Sequence, residues 1–202
     1  MVRNPHEPTK EEKIALLSRA ISEFEQSDTS LFFDSAAESA AKPVRERALT
    51  LLDSRMRSAH ELTERLLQAD FPRDVVTAVV EELKGSGLVD DALFAQEWVR
   101  VRHARRGKSV TVLDRELEHK GVSADIRAHA LEQITREDEE AMVRALIEKK
   151  ARSIKAVPAE RKERDKDLRR LVGVAARRGF PQGLCFTVAK EVAESRYAEL
   201  GE

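Results

Sequence analysis

One layout, two helices followed by a short turn and a third helix, recurs along this chain and limits its fold more than any other feature. Moved forward by 51 positions, Leu66 falls on Leu117, Phe71 on Val122, Asp74 on Asp125, Val75 on Ile126 and Leu83 on Ile134. Moved by 109, Phe71-Pro72 falls on Phe180-Pro181, Val75 on Leu184 and Val79 on Val188. The turn before the third helix holds Gly121 and Gly179 in the later copies but Asp70 in the first. Units of about 50 residues bury small cores and lean on their neighbours.

The expected fold is therefore all-α: three tandem three-helix repeats in an elongated, curved array, preceded by an N-terminal helical extension. Aromatic residues make up only 4% of the chain, so Leu, Val, Ile and Ala must fill the cores. Charged residues reach 36%, a balance that favours helix over strand. The boundaries read as 1–42 for the extension, then 43–87, 88–135 and 136–202 for the repeats.

In the extension, Thr9 and Glu12 make a capping-box pattern ahead of a helix over Lys10 to Gln26, with a linker over 27–42. Helices follow from Val44 to Arg55, from Ser58 with Glu61 completing a second capping box, and one opened by Phe71-Pro72-Arg73-Asp74 and stopped by Gly85-Ser86-Gly87. The second repeat has helices over Asp91–Arg106 and Ser109–Lys120, then one opened by Val122-Ser123. Phe94, Trp98 and Val101 share an inward face of the first. The third repeat has helices from Glu137, from Pro158 and after Phe180-Pro181.

No catalytic, metal or cofactor site is expected. His6, His60, His103, His119 and His129 are scattered, without a second ligand at metal spacing. Cys185, the one cysteine, lies on an apolar seam and reads as a small buried hydrophobe. It excludes a disulfide within the chain and fits a reducing cytosol. No apolar run approaches the ~20 residues of a membrane span, and the N-terminus lacks a secretory h-region, so a cytoplasmic protein with no membrane contact is expected. Asp90-Asp91 stand where a helix begins, and carboxylates there cap backbone N–H groups. Gly85-Ser86-Gly87 is a helix stop rather than a phosphate loop, because no Gly-Lys-Ser/Thr follows.

The cations are distributed more informatively. The formal net charge is −1, but residues 1–42 carry five Lys/Arg against eight Asp/Glu. Arg100, Arg102, Arg105, Arg106 and Lys108 follow one another without an acidic residue. Arg102 and Arg106 share a face, while Arg105 extends the Phe94–Trp98–Val101 seam, with its stem packed and its head at the surface. On the middle helix of the third repeat, Lys162, Lys166, Arg169, Arg170 and Arg177 fall opposite Leu168, Leu171, Val172 and Ala175. Such a row suits phosphates or an acidic protein surface.

The segment Gly87-Leu88-Val89-Asp90-Asp91-Ala92-Leu93-Phe94-Ala95 resembles the Gly-Tyr-Leu-Asp-Asp-x-x-Phe-Ala signature of RecX proteins. Ala48-Leu49 through Ser58, Glu61-Leu62 and Leu66 resembles that family's opening pattern. Arg105-Arg106-Gly107-Lys108 and Leu117 to Val122 resemble two further elements. The likeness starts near residue 44, is dense in two repeats and weaker in the third. Leu88 and Val122 depart from the usual aromatic and Ile.

The resemblance implies a modulator of the RecA recombinase. Such a protein binds RecA filaments on DNA in their helical groove and restrains ATP hydrolysis, strand exchange and the activities tied to the SOS response. Gly87, Asp90, Asp91, Phe94 and Ala95 are then largely structural. The ten cations named above are the candidate filament and DNA contacts. Contact with single- or double-stranded DNA is expected to be weak, non-specific and to the backbone, by a monomer. A helix-turn-helix DNA-binding regulator, or another helical scaffold, is the alternative. It is disfavoured by the mixed or acidic third helices.

Overall fold

The computed structural model describes residues 35–201. The expected helix over Lys10–Gln26 lies outside the described residues. Among those described there are nine helices and no strand. They are α1 (Ser35–Ser54), α2 (Ala59–Leu67), α3 (Arg73–Gly85), α4 (Asp91–Arg106), α5 (Val110–His119), α6 (Ala124–Leu131), α7 (Arg136–Ala151), α8 (Arg161–Ala176) and α9 (Gln182–Gly201).

The linker expected to run to residue 42 ends earlier, because residues 35–42 belong to α1 and Pro43 lies inside that helix. Pro43 has no N–H for the helical ladder, which is why it reads as a boundary. The turns before it show no apolar stripe because residues 37–40 are exposed. Their alanines favour helix without needing a core. Burial begins with Val44 and Ala48.

The helices pack in three groups, α1–α3, α4–α6 and α7–α9, each around its own core. The middle helix of each group supplies its centre at one spacing: Leu62 and Leu66, Leu113 and Leu117, then Leu171 and Ala175, all fully buried. Emptying one leucine site in such a core costs about 2–5 kcal/mol. Trp98 sits at the rim of the second core rather than within it. Phe94, Ala95 and Val99 are the buried residues of α4, and Trp98 and Val101 are half-buried.

The groups meet end to end at joints built alike. Ser58, the N-cap of α2, accepts from Glu61 N–H at 3.1 Å and donates its hydroxyl to the Lys120 carbonyl at 2.6 Å. Ala59 N–H donates to Asp91 Oδ1 at 2.8 Å. At the second joint Ser109, the N-cap of α5, accepts from Val112 N–H at 3.3 Å, and its own N–H donates to the Arg178 carbonyl at 3.2 Å. Val110 N–H donates to Glu139 Oε1 at 3.0 Å. In both cases an acid from the next group's first helix satisfies an N–H that the middle helix leaves open at its start.

Candidate interaction surfaces

The signature segment forms the start of α4. Asp90 is its N-cap and accepts from Ala92 and Leu93 N–H at 2.8 and 2.9 Å. Asp91 caps α2 across the first joint instead of its own helix. Gly87 turns the chain with φ 74°, a left-handed value that glycine adopts at no steric cost. Phe94 and Ala95 are buried. The acidic pair thus works as caps.

The cations of α4 and the turn after it divide into three kinds. Arg100 is exposed and donates to Glu97 at 2.9 and 2.7 Å. Arg102 lies 3.4 Å over the Trp98 ring, and Lys108 bonds to Glu116. Glu116 also accepts from the Trp98 indole at 3.1 Å and has Arg102 Nε at 3.2 Å. That Nε is buried and makes no hydrogen bond of good geometry, although its charge is close to the carboxylate. Burial lowers the Arg102 guanidinium below its ordinary value, and the like charges of Arg106 and Arg55 act the same way against the pull of Glu116. It stays charged nonetheless.

Arg105 and Arg106 are exposed. The stem expected to pack on the Trp98 seam is therefore that of Arg102, not Arg105. Long helical side chains lean toward the helix N-terminus, so the residue four positions on covers the ring.

On α8 and its C-cap Arg177, Leu171 and Ala175 are buried, Leu168 and Val172 half-buried, and Lys162, Lys166, Arg169, Arg170 and Arg177 all exposed. Arg170 approaches Asp167 at 3.7 Å. Lys162, Lys166, Arg169 and Arg177 make no ion pair among the described residues. Asp167, 16% exposed, turns toward the Tyr197 hydroxyl at 3.4 Å, so one of the acids beside the cationic row is drawn away from it.

A further cluster carries no signal in the repeat. Glu61 reads as a capping-box partner, but its carboxylate bonds Arg55, accepts from Arg57 Nη1 at 2.9 Å, and accepts from Lys120 Nζ at 3.1 Å. Burial works to raise its pKa. The hydrogen bonds from Arg55 and Lys120, with their charges, prevail and hold it down at about 2. Lys120 lies 59 residues away, and the 51-residue shift places Glu61 on Val112, so periodicity could not have paired them. Above this network opens a cleft of about 510 Å³, lined by Arg55, Met56, Phe94, Trp98, Arg102 and Lys120 among others.

Among the described residues no group of three or more His, Cys, Asp or Glu could hold a metal ion. None of their helices is long and apolar enough to cross a membrane.

Two family models match the chain. One is described as RecX, first three-helix domain, over residues 45–83; the other as RecX, second three-helix domain, over residues 90–131. The α7–α9 group lies outside both. A Regulatory protein RecX from Corynebacterium efficiens is 50% identical, covering 93% of this chain and 91% of its own length. One from Amycolatopsis mediterranei is 39% identical, covering 78% and 87%. A solved structure of regulatory protein RecX superposes with a TM-score of 0.63 at 19% identity, covering 94% of this chain and 81% of that one. RecX from Lactobacillus salivarius superposes at 0.66 and 21%, covering 77% and 97%. These two structures speak for the shared fold, and the sequence relatives for the lineage. Similarity of that extent over most of both sequences means that the chain belongs to the RecX family of regulatory proteins.

Proposed function

We propose that this protein binds RecA filaments on DNA, lying along their helical groove, and restrains RecA ATP hydrolysis, strand exchange and SOS-linked activity. Family membership supports a regulatory role. The observation that carries the filament reading is the cationic row on α8, four of whose five members have no ion-pair partner among the described residues. Such a row neutralises phosphates by displacing counterions, without reading bases. Arg105 and Arg106 extend the same kind of contact. Arg100, Arg102 and Lys108 are held by Glu97 and Glu116 and act through their field.

In this reading the units 43–87, 88–135 and 136–202 work as one arm. The first faces protein, and the later two meet the nucleoprotein filament. The protein acts by binding, as a cytoplasmic monomer, with no cofactor and no catalytic step. The exposed faces of α3 and α9 are mixed, with Asp74, Glu81, Glu82, Glu191 and Glu194 beside Arg73, Lys84 and Lys190, which argues against reading a major groove through these third helices.

The test is RecA ATP hydrolysis on single-stranded DNA with the purified protein added. Hydrolysis should fall at less than one copy per RecA. Unchanged hydrolysis at equimolar protein would overturn the proposal.

A further inference from the structure

The cleft at the first joint has a chemistry that the α8 face lacks. Its apolar lining is Met56, Phe94, Trp98 and Val101, and its cations are Arg55, Arg102 and Lys120. Met56, a large apolar side chain, is 41% exposed there. The charge is out of balance. Arg55, Arg57 and Lys120 share Glu61. Arg102 and Lys108 share Glu116. Two carboxylates thus serve five cations, and Glu97 at the cleft wall is taken by Arg100. The Arg102 Nε is buried and makes no hydrogen bond of good geometry. An anion arriving here meets cations already gathered and oriented, beside an apolar wall.

We propose that this cleft binds an acidic peptide segment of a partner protein. One carboxylate is held by Arg55 and Lys120, and a neighbouring Leu- or Phe-sized side chain lies against Met56 and Val101. The cleft volume falls in the ~300–1,000 Å³ range of sites that take small ligands, so a few side chains fit and a folded surface does not. A carboxylate between a guanidinium and an ammonium makes charge-assisted hydrogen bonds, about twice as strong as neutral ones.

A peptide suits the cleft better than a nucleic acid. Single-stranded nucleic acid wants an open aromatic face and a line of cations tracking its backbone. Here the Trp98 ring has Arg102 over it at 3.4 Å, Phe94 beside it at 5.3 Å and Lys120 at 5.4 Å. The inference rests on the cleft alone and does not depend on the filament reading of α8.

Trp98 is the only tryptophan of the chain and lines the cleft, so its emission reports occupancy. The full-length protein is titrated with the capped peptide Glu-Asp-Phe-Asp-Glu at low salt. A saturable change in emission is expected, weakened by salt. Arg55→Gln and Met56→Ser, each at an exposed position, should each weaken binding roughly tenfold, the first removing charge and the second removing apolar contact. Helicity is checked for both by circular dichroism, and the pair keeps the test open should one variant disturb the Glu61 network.

The proposal is overturned by the absence of a saturable change, or by variants that bind as the parent does. It is equally overturned if the same peptide with Phe replaced by Ser binds as well, since the site would then be charge alone. Tighter binding of oligothymidine, lost with the same variants, would make the cleft a nucleic-acid site.

Discussion

The Ser58 hydroxyl donates to the Lys120 carbonyl across 2.6 Å, joining the start of α2 to the end of α5. One residue on is Gly121, with φ 70°, and a Cβ placed there would lie 2.3 Å from the His60 Cβ. The second joint repeats this closeness. Gly179 has φ 84°, and a Cβ on it would lie 2.3 Å from Val112 Cγ2 and 2.7 Å from Ser109 Oγ. Glycine is needed twice over at each joint, for its backbone angle and for the approach of the preceding unit. The first unit has no described unit before it, and its matching turn holds Asp70 with φ 61°. The angle is kept there, and among the described residues no preceding unit presses on the turn, where Asp70 is exposed.

Gly121→Ala should therefore destabilise by roughly 2–4 kcal/mol, combining left-handed strain with overpacking. Asp70→Gly should range from neutral to a gain of about 1 kcal/mol, since it relieves strain while loosening the unfolded chain. Urea denaturation followed by circular dichroism separates the two. A destabilisation by Asp70→Gly as large as that by Gly121→Ala would refute this account of the joints.

Glu61 links stability to pH. Its folded pKa of about 2 is below the ordinary value of 4.5, so the unfolded chain takes up its proton first as pH falls. Its contribution is fully present above the ordinary value and is lost as pH falls from there through about 2. Glu61→Gln should cost about 1–3 kcal/mol at neutral pH, because three cations lose a shared acceptor. The gap between variant and parent should narrow steadily through that acid window. Urea midpoints measured across it provide the check, and a constant gap would show that Glu61 is not the group responsible.

What was legible in the sequence follows from which forces leave a period. Helix existence and the Leu62–Leu66 and Leu113–Leu117 stripes were readable because burial repeats every turn. Asp90 as a cap was readable because capping is local. The first turns of α1 were not, since an exposed alanine-rich stretch ahead of Pro43 shows propensity without an apolar stripe. Nor was the role of Glu61, because a Ser-x-x-Glu spacing looks the same whether the glutamate returns to its own helix or reaches Lys120 in the next unit. The cationic row of α8 was legible as one face of a helix. The neutralisation of Arg102 and Lys108 by Glu116 was not, because that acid stands on another helix.

Trp98 stands between core and cleft, and its variants should show both. Trp98→Phe keeps an aromatic ring beneath Arg102 but deletes the indole donor to Glu116, at a cost of about 1 kcal/mol. Trp98→Ala removes the ring as well and should cost about 2–4 kcal/mol, toward the lower end of large-to-small changes because the side chain is only half-buried. Circular dichroism suits both, since the fluorophore is lost. Equal stabilities for the two variants would mean that the ring contributes no packing.

The α8 row separates charge from fold. Lys166, Arg169, Arg170 and Arg177 are exposed, and the helix is anchored by Leu171 and Ala175 on its other side. Replacing the four cations by alanine should leave stability within about 0.5 kcal/mol, as expected of surface changes away from buried partners. Binding to single-stranded DNA, alone or coated with RecA, should weaken. If all four meet phosphates, the slope of log affinity against log salt should flatten by about 3, at ~0.7 per contact on a single strand. A fluorescence-anisotropy titration at several salt concentrations measures that slope. An unchanged slope in a stable variant would place the DNA contact elsewhere, first on Arg105 and Arg106, the exposed α4 cations with no ion pair among the described residues.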